Sequence, residues 1–105
     1  MNHADRHALV PVIAEQLGLP PVPADWSGSD AVWPLLERMR EDGAVVLIKL
    51  DGGRTTGKSG AYTCLASGGL LDEDHTVRTD SRSLEDGLAF VVVGYARDGW
   101  RLEGL

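Results

Sequence analysis

The sequence predicts an α+β domain: a small antiparallel sheet of two to three strands covered by about three helices, in the order α-α-β-β-(β)-α. Three observations carry that prediction. Val32, Leu35, Leu36 and Met39 fall at i, i+3, i+4 and i+7, which is one face of a helix. Two β-rich runs, Ala44 to Leu50 and Ala61 to Ala66, are adjacent in the chain and joined by a Gly- and Thr-rich crossing, the pattern of a hairpin. Leu84, Leu88, Val91, Val92 and Tyr95 then form a second helical stripe, opened by Ser83 with Asp86 three residues on.

Taken in order, Met1 to Arg6 is polar and is expected to fray, with residues 1–7 flexible ahead of a single domain. Leu9, Val12, Ile13 and Leu17 make a helical stripe, but Pro11 fits best in a first turn. The firm helix is therefore expected from about Pro11 to Leu17, ending at Gly18, although a kinked helix starting earlier also fits. Pro20, Pro21 and Pro23 dictate a stiff extended arm pinned by Trp26. Ser29 or Asp30 caps the second helix, Pro34 lies near its first turn, and Gly43 ends it.

The run AVVLI at Ala44 to Ile48 predicts a strand buried on both faces before Lys49 turns outward. In the next strand Tyr62, Cys64 and Ala66 share one face, and Gly68 and Gly69 close it. A short third strand is expected around Thr76 to Thr79. FVVV at Phe90 to Val93 suits a strand by propensity, but the cap and the stripe favour a helix that Gly99 terminates. Gly87 and Gly94, seven apart, share a helical face and suit a close approach to the sheet or to another helix.

Composition narrows the function classes. With 16 acidic residues against 10 Lys and Arg the formal charge is −6, which argues against a nucleic-acid partner. Hydrophobic residues at 43% and charged residues at 25% place the 105-residue chain among ordinary globular domains. One cysteine, Cys64, allows neither an intrachain disulfide nor a zinc knuckle. The N-terminus lacks the pattern of a signal peptide and no run is long and apolar enough for a membrane span, so a cytoplasmic protein is expected.

Gly52-Gly53-Arg54-Thr55-Thr56-Gly57-Lys58-Ser59 satisfies the phosphate-loop pattern G-x-x-x-x-G-K-[ST]. A working loop of that kind uses backbone amides to cradle phosphates, with Lys58 on the terminal phosphates and Ser59 on Mg²⁺. It also requires Lys58 and Ser59 to open a helix, whereas Gly60 to Gly69 carries no helical stripe. The stretch is therefore read as a hairpin connection. Nucleotide binding through Gly52, Gly57, Lys58 and Ser59 is the alternative, and no cofactor or metal is expected otherwise.

The remaining constellations are weak. His3 and His7 share a helical face but do not by themselves form a metal site. Asp72-Glu73-Asp74-His75 lacks the ligand spacing of a calcium loop and reads as a solvated turn. Cys64 and His75 are a nucleophile and base by type only, since Cys64 sits among apolar strand residues. Trp26 and Trp33, with the acidic turn Asp72, Glu73 and Asp74, are the candidates for a protein contact.

Asp30-Ala31-Val32-Trp33-Pro34-Leu35-Leu36, with Leu17-Gly18 before it, a hairpin after it and the closing SLEDGLAFVVVGYA helix, resembles the phage ABA sandwich domain family of small phage and prophage proteins. The likeness covers about residues 10–97, with Val32 inserted between Ala31 and Trp33. It implies a layered α/β fold and a phage-derived context, with no catalytic residues to carry over. The sequence thus leads to a non-enzymatic accessory domain that binds a protein or a second copy of itself. A nucleotide-binding protein is one alternative. An acidic immunity or inhibitor protein for a basic partner is another.

Overall fold

The computed structural model describes residues 1–53 and 60–105. The chain runs α1 (His3–Gln16), a 3-10 turn (Asp30–Val32), α2 (Trp33–Glu41), β1 (Ala44–Leu50), β2 (Tyr62–Gly68), β3 (Thr76–Ser81) and α3 (Leu84–Tyr95). A π turn (Ala96–Trp100) follows α3. The strands form one antiparallel meander in the order β1-β2-β3. This is the α+β arrangement that the sequence predicts, third strand included.

Register assigns each side chain to a face. Ala44 pairs with Gly68 and Leu50 with Tyr62 across β1 and β2, while Tyr62 pairs with Ser81 and Ser67 with Thr76 across β2 and β3. Val46, Ile48, Cys64, Ala66 and Val77 therefore share the face on which α2 and α3 pack. Val45, Leu47 and Leu65 point the other way, and Val45 is 59% and Leu47 49% exposed. The expected burial of β1 on both faces is thus corrected. AVVLI is continuous because one half of it faces the helices while the other half lies on an open sheet face.

Helix α3 is the centre of the core. Leu88, Ala89, Val91, Val92, Val93 and Tyr95 are all buried, because α3 lies between the sheet and α1. A helix enclosed on two sides needs apolar residues around most of its girth, which accounts for the run VVV. Ser83 caps it as expected, its Oγ accepting from the Asp86 N–H at 3.1 Å. Gly87 and Gly94 are the contact points with the sheet. A Cβ at Gly87 would lie 2.6 Å from Cys64 Sγ, and one at Gly94 2.6 Å from Val77 Cγ1.

Three expectations about helix ends are corrected. Helix α2 starts at Trp33, after the 3-10 turn, and neither Ser29 nor Asp30 caps it with a side chain. Helix α1 starts at His3 rather than near Pro11, so the segment expected to fray is helical. Asn2 and Asp5 form a reciprocal capping box, with Asp5 N–H donating to Asn2 Oδ1 at 2.9 Å. Pro11 removes the hydrogen bond that the His7 carbonyl would otherwise accept within the helix. Trp26 Nε1 donates to that carbonyl at 3.0 Å. His7 Nε2 in turn donates to the Trp26 carbonyl at 2.9 Å, and the two rings stack at 4.4 Å. Pro11 therefore frees an acceptor that anchors the proline arm. At the other end, α3 passes through the π turn to Arg101, whose φ of 56° makes it the left-handed stop in place of Gly99.

Asp42 ties the end of α2 to the end of α3. Its Oδ2 accepts from Trp100 Nε1 at 2.7 Å and from the Tyr95 hydroxyl at 3.0 Å, and that hydroxyl accepts from the Leu70 N–H at 3.0 Å. Burial, aided by the Asp42 carboxylate, pushes the Tyr95 phenol up from its ordinary pKa.

The glycine contacts give the first prediction. Gly94→Ala improves helix propensity by about 1 kcal/mol but forces the helix off Val77, at a cost of about 1–3 kcal/mol. A net fall in thermal midpoint is expected. Val77→Ala added to Gly94→Ala should restore part of it, so the two changes should be non-additive in calorimetry.

Candidate interaction surface

The feature that distinguishes one side of this molecule is the outer edge of β1. Asp51 N–H donates to the Ala61 carbonyl at 2.8 Å, in register with the β1–β2 pairing. Antiparallel bonding alternates, so the odd-numbered residues of β1 bond to β2. The N–H and C=O groups of Ala44, Val46, Ile48 and Leu50 then point to the free edge, where the sheet gives β1 no second neighbour among the described residues.

The two sheet edges differ in chemistry. On β3 the outward-pointing residues include Arg78 and Asp80, a charged pair at 3.6 Å, as on edges that resist association. On β1 the four edge residues are all apolar. Above that edge, between β1 and α2, runs a groove of about 220 Å³ lined by Trp33, Leu36, Ala44, Val46 and Ile48, with Glu37 and Arg40 at its rim. Pro34 in the first turn of α2 and the 3-10 turn before it set Trp33 at the mouth of the groove, 52% exposed. The Arg40 Nε lies 2.9 Å from Glu37 Oε2, so the rim is locally neutral on a chain of charge −6.

Of the contact residues expected from sequence, Trp33 lies on this surface and Trp26 does not. Trp26 is 3% exposed beneath α1, so it is a packing residue. Asp72, Glu73 and Asp74 are exposed in the turn before β3. Beside them is a shallow cleft of about 640 Å³ lined by Asp72, His75, Arg97, Asp98, Arg101 and Leu102. His75 Nε2 lies 2.8 Å from Asp98 Oδ2, and Arg97 donates to both Asp98 oxygens at 2.8 and 2.9 Å. The Arg97 guanidinium, with His75 behind it, holds the Asp98 carboxyl down at about 2.

The other sequence candidates separate. Cys64 is 1% exposed under Gly87, and burial pushes its thiol up to about 11, so the thiolate is suppressed. It pairs with Thr79, four residues beyond His75, so strand rise alone puts roughly 13 Å between them. His3 and His7 are held to different partners, His3 Nε2 to Asp86 Oδ1 at 2.6 Å and His7 to Trp26. Gly52 and Gly53 form a turn after β1, while Gly57, Lys58 and Ser59 lie outside the described residues. The segment that a phosphate loop needs as a helix is β2, extended from Tyr62.

The fold and this surface together define a one-sided α+β meander, with helices on one face and an unpaired apolar edge strand. Comparison with protein-family models, with curated proteins and with solved structures finds no match.

Asp98 supplies the second prediction. A carboxyl with a depressed folded pKa stabilises the fold above its unfolded value of about 4, and that contribution disappears as pH falls towards about 2. Asp98→Asn should therefore lower the thermal midpoint at neutral pH, and the gap from the native chain should close near pH 2.

Proposed function

We propose that this chain is a small non-enzymatic accessory domain of phage or prophage type that acts by binding protein along the β1 side of its sheet. One observation carries the reading: an apolar edge strand with unpaired backbone groups lies directly beneath a groove with an exposed tryptophan at its mouth. Free backbone groups recognise any extended strand, and a neighbouring apolar groove adds side-chain selectivity. The phage-family likeness of residues 30–36 supports the same reading, because that motif sets the position of Trp33.

The electrostatics agree with protein over nucleic acid as partner. Among the described residues the edge and groove carry Lys49, Arg40 and Glu37 against a background of −6, too little positive charge to follow a phosphate backbone. Cys64 is buried with a raised pKa, which weighs against a thiol mechanism.

The test compares the native chain with Trp33→Ala as baits in an extract of the native host, read by quantitative mass spectrometry. Trp33 is half exposed, so the variant should keep its thermal midpoint while losing at least one protein that the native bait retains. Identical profiles would remove the reading. With Mg²⁺ and ATP or GTP the thermal midpoint should stay fixed. A rise that Lys58→Ala abolishes would favour nucleotide binding instead.

A further inference from the structure

Resting on the interaction reading above, we infer that the partner for the β1 edge is a second copy of this chain. Two β1 strands would pair antiparallel about a two-fold axis at Leu47. The strand is self-complementary in that register. Among the described residues, the backbone groups of β1 that face away from β2 belong to Ala44, which is 7% exposed, and to Val46, Ile48 and Leu50, and these positions are symmetric about residue 47. Pairing Ala44 with Leu50 of the second copy and Val46 with Ile48 brings all four onto partners at once. The meander then extends into a six-stranded sheet with the helices of both copies on the same face.

Side chains fit the same axis. Leu50 projects towards the helix-covered side but is 68% exposed, because nothing among the described residues of its own chain covers it. In the paired register it lies opposite Ala44 of the other copy, and Ala44 lines the Trp33 groove. Each copy thus supplies the apolar side chain that the other copy's groove lacks. On the open face the two Leu47 side chains meet at the axis, and Val45 lies opposite Lys49.

Charge follows the symmetry as well. The groove rim carries Glu37 and Arg40, so a two-fold axis brings one acid and one base from each copy to the same side of the joined sheet. A rim holding one acid and one base is complementary to itself, whereas most of a chain at −6 repels its copy. The β1 edge, whose outward backbone groups belong to apolar residues with Lys49 its one charged side chain, and the charged β3 edge then have different roles: one joins and the other ends the sheet.

The experiment uses the full chain. Sedimentation over a wide concentration range should show the mass rising from monomer to dimer. Leu47→Lys sets two cations against each other at the axis and should weaken the dimer at least about tenfold while sparing the fold, since Leu47 is half exposed. Leu47→Cys should oxidise to a covalent dimer, because non-hydrogen-bonded antiparallel partners lie about 4.5 Å apart at Cα. Val45→Cys should not, because the two positions are separated by about 13 Å along the strands. The native Cys64 is buried and does not compete. A native chain that stays monomeric, or one whose dimer survives Leu47→Lys, overturns the inference. Equal cross-linking at positions 45 and 47 overturns it in favour of stacked open faces. A monomer that still captures another protein in a Trp33-dependent way overturns self-pairing alone, whereas loss of both overturns the interaction reading too.

Discussion

The fold depends on how closely α3 approaches the sheet. At Gly87 and Gly94 the helix backbone rests on Cys64 and Val77, with no room for a methyl group at either point. That distance sets everything outside it. It brings Tyr95 within reach of Asp42 and Leu70, and so fastens the end of α2 and the turn after β2 to the end of α3. It also leaves α3 enclosed, so α1 packs on α3 rather than on the sheet. With α1 used in that way, no helix among the described residues packs on the opposite face. Val45 and Leu47 lie exposed on that face.

Much of this was legible in the sequence because it rests on local patterns. The stripe Val32, Leu35, Leu36 and Met39 is buried as its spacing requires, and Ser83 caps α3 through the predicted Asp86 N–H. The pairing of Gly87 and Gly94 also carried its meaning in their spacing, since residues seven apart in a helix share a face. What escaped was set by contacts between distant segments. Pro11 argues locally against a helix starting at His3, but Trp26 takes up the carbonyl that Pro11 leaves free. A partner nineteen residues away is invisible to any local rule.

The interaction surface was half legible for the same reason. Trp33 stood out by type, but its value comes from lying over β1, which requires the register and the crossing of α2. Trp26 stood out equally and proved to be core, so tryptophan alone does not distinguish a contact from a packing residue. The His75, Asp98 and Arg97 cluster joins the start of β3 to the π turn, and no spacing in the sequence links them. The burial of β1 was misjudged because a continuous apolar run has two physical origins. It arises in a strand covered on both faces, and it arises in a strand with one covered face and one face that stays exposed, as at Val45 and Leu47.

That second origin bears on the phosphate-loop pattern too. A motif of eight residues specifies chemistry only when the flanking elements aim its amides, and a helix after the lysine provides the aim. Here the flanking elements are two antiparallel strands, so the pattern lies across a hairpin whose termini are set by the pairing of Leu50 with Tyr62. Glycine and threonine suit such a crossing for their turn chemistry. The same hairpin makes β1 an edge strand, because β3 follows on the far side of β2 and no further strand among the described residues pairs with β1. The order of three strands therefore does two things at once: it makes an extended strand of the segment that follows the loop, and it leaves the β1 edge without a neighbour among the described residues.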